Sequence, residues 1–414
     1  MVRTLGTVGW CVAVAAAFMA MPAQGATVNA ASCSQNDVAA AISNARAGDI
    51  VQVPAGSCSW SGLTIAKAVH VRGAGRGQTN ITLSGQMTVN KQSSGVTRVS
   101  GFSFSRSGSG SATIGIQING AWTDEPVVFQ DNSFTVRSAT LFRIHSPGGF
   151  IFANNSVDAG YDDIVFQLKD NGGEVSWQTA DTLGNRDTTG KRNHYIETNT
   201  IVGGTNTTVD CDDGARCVYR YNTVTYSGFG SHGYATSHVG LRHFEVYRNT
   251  WNYPTADCSS QLANQNWLVR LRGGTGVVFD NVMPNIAAAC GWGDKPEIWL
   301  DVRGAEDVRP QGSCANTRYP VPRQIGQNHN GSSYFTDPVY MWGNGPSSAL
   351  KLGWSWGNPC GFNWDDFVRA GRDYVVGTAK PGYTPYTYPH PLTQGDSVPP
   401  PAAAPAAPVL QSVQ

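Results

Sequence analysis

The side chains able to do chemistry crowd into residues 210–272. Asp210, Asp212 and Asp213 stand together in VDCDDG, and His232 follows in the Gly-rich turn SHG. Arg242, His243 and Glu245 lie in LRHFEVYRN, and Arg216 and Arg220 flank CVY. Arg270 and Arg272 alternate in VRLRGG, so a strand there would present both on one side. Such a set suits three kinds of chemistry. Asp210, Asp212 and Asp213 could hold Ca²⁺ through hard oxygen ligands. A pair of carboxylates could act as acid and base on a glycosidic bond. A cation, a base and an acid together could remove a proton from the carbon beside a carboxylate: the cation neutralises the carboxylate, the base takes the proton and the acid assists the leaving oxygen. His232 is the expected base, because a neutral imidazole titrates near working pH, and His243 is its substitute. Asp212, Asp213, Arg272 and Arg242 complete the expected catalytic set. Arg216, Arg220, His243, Arg270 and Glu245 form the expected substrate-binding set. A salt-bridged structural network is the competing reading.

Positioning comes from a repeat of the form apolar-x-apolar-x-x-Asn-x-apolar. It recurs as VFQDNSF, FIFANNSV, HYIETNTI, CVYRYNTV and FEVYRNTW, with a shortened copy in VVFDNV. Its Asn residues are 132, 155, 199, 222, 249 and 281, spaced by 23, 44, 23, 27 and 32. A period in the twenties means a solenoid, with the spacing of 44 read as two coils of 22. Val, Ile, Phe and Tyr replace the Leu of leucine-rich repeats, and no helix separates the copies. The expectation is therefore an all-β parallel β-helix, whose six Asn are structural turn residues. Aligning the coils puts His194, Cys217 and Phe244 inside. Three columns then face outward: Asn193, Arg216 and His243; Tyr195, Val218 and Glu245; and Glu197, Arg220 and Tyr247. Asp210 and Asp212 lie 11 and 13 residues past Asn199 and His232 lies 10 past Asn222, which brings them near one another if their turns are of similar length; Arg143 and His145 lie 11 and 13 past Asn132, on a more distant coil.

At the start, residues 34–48 read as a helix capped by Ser34 or Asn36, ended by Gly48 and serving as a lid over the first coil. Beyond about residue 283 the repeat fades into an irregular part that includes Trp292, Trp299, Trp342, Trp354, Trp356 and Trp364. These rings are read first as cover for the solenoid and second as stacking surfaces for sugars. A short helix is expected near residues 363–370, and residues 393–414 read as a disordered tail. Residues 1–25 read as a secretory signal, with Arg3, an apolar run and a small-residue cleavage site, leaving 26–392 as one domain. Eight cysteines then remain in an exported chain, and proximity pairs them 33–58, 211–217, 258–290 and 314–360, although spacing alone does not fix connectivity. Zero net charge speaks against nucleic acid as a partner, and no later stretch is apolar enough to span a bilayer. A secreted monomer is the expectation.

GDIVQVPAG after the lid helix, FIFANNSV, GARCVYRYNTV, LRHFEVYRNT, RGGTGVVFDN and YPVPRQIGQ together resemble the secreted bacterial right-handed parallel β-helix proteins of the pectin-lyase-like superfamily, over about residues 30–392. The resemblance implies that fold. It leaves the activity open among polysaccharide lyases, hydrolases, esterases, epimerases and non-catalytic adhesive proteins. The order Asp212-Asp213, Ser231-His232-Gly233, Arg270-Leu271-Arg272 is similar to the DD, GHG and RIK order of polygalacturonases, but their upstream Asn-Thr-Asp has no counterpart here. The leading expectation is a lyase acting on an acidic, uronate-containing polysaccharide by β-elimination. A hydrolase on a similar glycan is second, and a binding or adhesive solenoid third.

Overall fold

The computed structural model describes residues 25–108, 114–121, 124–137, 139–160, 164–169, 186–203, 208–231, 240–253, 267–286, 288, 296–302, 324–330, 332–353, 361 and 363–394. The expected signal segment and nearly all of the expected tail fall outside them. Short strands alternate apolar and polar residues, and each coil contributes one strand to each of three long parallel sheets. One coil runs through Val127–Gln130 in a first, 12-stranded sheet, Ser133–Arg137 in a second and Thr140–His145 in a third, the last two 10-stranded. The chain then re-enters the first sheet at Phe150–Ala153, in register with Val127–Gln130. The protein is a parallel β-helix. Stacked apolar columns such as Phe142 on Phe166 fill its interior.

The Asn ladder sits at the corner between the first and second sheets. Asn132, Asn155, Asn199, Asn222, Asn249 and Asn281 are all buried, and Asn344 extends the series. Each backbone N–H donates to the next Asn Oδ1, as Asn199 N does to Asn222 Oδ1 at 3.0 Å. Each Nδ2 donates back to a carbonyl of the preceding coil, as Asn222 Nδ2 does to Ile196 O at 2.9 Å. The tight bend itself falls on the residue before each Asn: Asp131, Asn154, Thr198, Tyr221, Arg248 and Asp280 all have φ between 52° and 59°. The Asn side chains hold together a left-handed corner that bulky residues resist on their own.

The spacing of 44 is one coil, not two. Phe150 pairs directly with His194, and Asn155 N donates to Asn199 Oδ1. The extra length lies between Ile164–Lys169 and His194–Glu197, and its described end forms a loop at 186–193. Regular strands also continue past residue 283, with Ile298–Asp301, Val339–Trp342 and Leu350–Gly353 extending the sheets.

The lid helix spans Gln35–Asn44, with Ser34 Oγ accepting from Asp37 N at its cap. It ends at Ala45, before Gly48, and seats Val38, Ala41 and Ile42 on the core. Cys33–Cys58 ties its approach to the second sheet, and Cys211–Cys217 joins the third sheet to the first. Both bonds match the expected pairing and suit an oxidising, extracytoplasmic compartment. Cys258, Cys290, Cys314 and Cys360 lie outside the described residues. The expected helix near 363–370 is a single 3₁₀ turn, Trp364–Asp366. Among the described residues no helix is long and apolar enough to cross a membrane.

One feature has no counterpart in the sequence expectations. The Pro- and Tyr-rich residues 383–392 form a strap across the outer face of the first sheet. Tyr383 meets Phe279 and Trp342, Tyr388 stacks on Tyr221 at 3.6 Å, and Leu392 packs on an apolar strip that includes Val128 and Ile151.

Candidate functional site

The outer face of the third sheet carries a row of ionisable and amide side chains. Register places Gln117, Arg143, Gln167 and Asp210 in one column, and Asn119, His145, Lys169 and Asp212 in the next. Arg270 and Trp299 pair further along, with Lys351 beside Trp299. The equal offsets of Asp210 and Asp212 past Asn199 and of Arg143 and His145 past Asn132 thus correspond to shared columns of the third sheet. The disulfide explains how the acidic end is held. Cys211 points into the core between Asp210 and Asp212, and its bond to Cys217 fixes the turn through Asp213 and Gly214, at φ 50° and 80°.

Lys169 sits 2.5 Å from Asp213 Oδ2 and 3.6 Å from Asp212 Oδ2. Burial works against its ammonium, but Asp212, Asp213 and Asp210 outweigh that and raise its pKa. Asp212 is pushed well above the usual carboxylate range, first by burial and then by Asp210 and Asp213; Lys169 and the Asp213 N–H, 2.8 Å from Asp212 Oδ1, pull the other way. Asp301 closes the other end. Its Oδ2 accepts from Arg270 Nε at 2.8 Å and Arg272 Nε at 2.7 Å. The Arg270 guanidinium lies 4.7 Å from the Trp267 ring centroid and 5.4 Å from that of Trp299, and Lys351 Nζ lies 4.7 Å from the latter. His145, half-buried, has its pKa lowered by burial and by the charges of Arg143 and Lys169, so it stands as a neutral imidazole at pH 7.

Asp210, Asp212 and Asp213 do not form the expected calcium cage. Among the described residues no group of three His, Cys, Asp or Glu is arranged to hold a metal ion. The physical reason is Lys169, whose ammonium takes the position between Asp212 and Asp213 that a cation would need.

The expected binding residues divide between two faces. Arg220, Glu245 and His243 face outward from the first sheet as expected, but they lie under the strap, apart from the Asp212 row. Arg220 donates to Glu197 Oε2 at 2.7 Å, to Tyr247 Oη at 2.8 Å and to the carbonyls of Tyr386 and Thr387, both at 2.8 Å. Glu197 also accepts from His390 N at 2.7 Å. Glu245 accepts from Tyr383 Oη at 2.6 Å and Arg186 Nε at 2.9 Å, with His243 Nε2 at 3.3 Å. These groups hold the chain's own strap. Arg216, Arg242 and Arg272 are buried along the edge where the third sheet turns into the first. Arg242 N donates to Ala215 O there, and its charge, after burial, lowers the pKa of His329.

His232, the expected base, lies outside the described residues. Lys169, Gln167 and Asp301 were missed by the sequence reading. Gln167 and Lys169 alternate in IVFQLK just as Arg143 and His145 alternate in LFRIH, and that shared pattern was the available signal. Asp301 follows a long connection that hides its register. Neither the protein-family models nor the curated proteins compared with the chain match it.

Proposed function

We propose that the protein depolymerises an acidic, uronate-containing polysaccharide by β-elimination on the outer face of the third sheet, as an exported member of the pectin-lyase-like superfamily. The observation that carries this reading is the acidic end of the row, where the Asp212 carboxyl, held well above its usual pKa, lies 3.6 Å from the Lys169 ammonium. Lys169, Arg270 and Arg272 are the cations that would offset a substrate carboxylate, which makes the neighbouring proton removable. Asp212, retaining its proton to higher pH than an ordinary carboxylic acid, is the acid for the leaving oxygen. An imidazole is the base. His232 holds that role on sequence grounds, and His145 is the described neutral imidazole of the face. The row runs across successive coils, which suits a chain-like substrate lying along the solenoid.

The test is to incubate the purified protein with pectate, alginate, glucuronan and glycosaminoglycans, with and without chelator, following ultraviolet absorbance and reducing ends. New absorbance with new ends is the expected result. Ends without absorbance would replace elimination with hydrolysis, and neither signal on any substrate would replace catalysis with binding. Asp212→Asn is expected to lose most activity while remaining folded. His232→Ala and His145→Ala identify the base, and full activity in both would remove an imidazole from the mechanism.

A further inference from the structure

A cavity of about 560 Å³ opens between the outer face of the first sheet, the loop 186–193 and the strap, on a different face from the Asp212 row. Its volume falls within the roughly 300–1,000 Å³ of small-ligand sites. Ile151 and Tyr195 come from the sheet, Thr188 and Asn193 from the loop side, and Tyr386 and His390 from the strap. Three of the six are aromatic. Tyr195 stands edge-on to Tyr386 and 4.6 Å from His390, centroid to centroid.

Two further observations point to an occupant and limit its kind. Asn193 is fully buried, and its Oδ1 has no hydrogen-bond partner. Asn193 Nδ2 donates to Tyr195 Oη at 3.1 Å, and Tyr195 Oη donates on to Gly190 O, also at 3.1 Å. The carbonyl end of the amide is thus the spare acceptor, and a buried unsatisfied acceptor calls for a donor from elsewhere. Each cation on the cavity wall has a carboxylate partner. Lys191 pairs with Glu125 at 3.1 Å, and Arg186 with Glu245 at 2.9 Å. His390, lowered to about 4 by burial and then by Arg220 and Arg98, is neutral at pH 7.

We propose that this cavity binds an uncharged monosaccharide or disaccharide, whose C–H face lies against the tyrosine and histidine rings and one of whose hydroxyls donates to Asn193 Oδ1. Aromatic rings with a single directed amide acceptor suit a molecule with an apolar face and a hydroxylated rim. Both wall cations already hold a carboxylate, so a uronate would have to compete for one of them. The site is independent of the elimination chemistry on the third sheet.

Saturation-transfer NMR on the full chain tests the proposal, with glucose, galactose, mannose, maltose and cellobiose as neutral probes and galacturonate and glucuronate as charged ones. At least one neutral sugar is expected to show transfer, weakened at least tenfold in affinity by Asn193→Leu. Should that variant melt out, Thr188→Trp fills the cavity from the exposed loop and is expected to abolish the same signal. No transfer from any neutral sugar, unchanged affinity in the folded variants, or preference for the uronates would each overturn the proposal. Asp212→Asn is expected to leave the sugar signal intact, so failure of the polysaccharide reading and failure of this one remain distinguishable.

Discussion

Replacing Asn222 by Ala removes the middle rung of the ladder, and the cost follows from its bonds. Asn222 Oδ1 accepts from Asn199 N at 3.0 Å and Asn199 Nδ2 at 2.9 Å. Asn222 Nδ2 donates to Ile196 O and to Asn249 Oδ1, both at 2.9 Å. Alanine keeps the backbone and removes all four. The buried Asn199 N–H and the Ile196 carbonyl both lose that partner, and each such loss costs about 1–3 kcal/mol. The expected destabilisation is therefore about 2–6 kcal/mol. Tyr221, held at φ 55° by the corner that Asn222 secures, adds to the cost instead of relieving it. Urea unfolding of the variant beside wild type and the surface control Thr223→Ala measures it, the control staying within about 0.5 kcal/mol of wild type. A loss below about 1 kcal/mol for Asn222→Ala, at unchanged denaturant slope, would refute the view that the ladder carries the corner.

Other outcomes follow from the buried charges. Arg220→Met leaves Glu197 under the strap without its partner and is expected to cost about 3–5 kcal/mol; Arg220→Met with Glu197→Gln should recover much of it, as read by urea unfolding and by proteolysis of residues 383–392. His194 is buried with its pKa lowered to about 3, by burial first and then by Lys91 and Arg216. Its contribution to stability is complete above the unfolded pKa near 6.5 and falls as pH drops toward the folded value, by roughly 3 kcal/mol at pH 4. His194→Phe should flatten that acid limb, and an unchanged limb would show that His194 does not cause it. Cys211→Ser with Cys217→Ser opens a loop of sequence separation 6 and is expected to cost about 2 kcal/mol. It should also lower turnover more than Cys33→Ser with Cys58→Ser does, because only the first pair brackets Asp212.

The ladder, the three sheets and the outward columns were legible because stacking forces equivalent residues to recur. Asn222 and Asn249 reveal each other at a spacing of 27 whatever lies between them. The same logic misread the spacing of 44, since a loop adds length without adding a coil and only strand pairing tells the two apart. Arg220 and Glu245 face outward as their columns predict, but the strap over them is not legible, because nothing periodic in PGYTPYTYPHPL shows where it docks. A Pro-rich segment carries its instructions in its partners' surface. On the third sheet, Arg270 and Arg272 are legible from alternation, and Asp210 and Asp212 from their cluster and their offset past Asn199. Lys169 as the group between Asp212 and Asp213 was not found, because its pairing depends on which strand is the true neighbour.

In a solenoid each coil touches only the next, so an extra or missing coil in the middle goes unnoticed by the ends. The strap changes that. It runs from Arg98, whose guanidinium meets Leu392 O, to Trp342 beside Tyr383, crossing eight consecutive strands of the first sheet. At about 4.8 Å per strand this is about 34 Å. The strap works as a gauge of coil number: adding or removing one coil beneath it would move Glu197 or Glu245 by about 4.8 Å from its clasp. Residues 383–392 thus fix the spacing of coils built from residues far earlier, and insertions are admissible only where they bulge aside, as the loop 186–193 does.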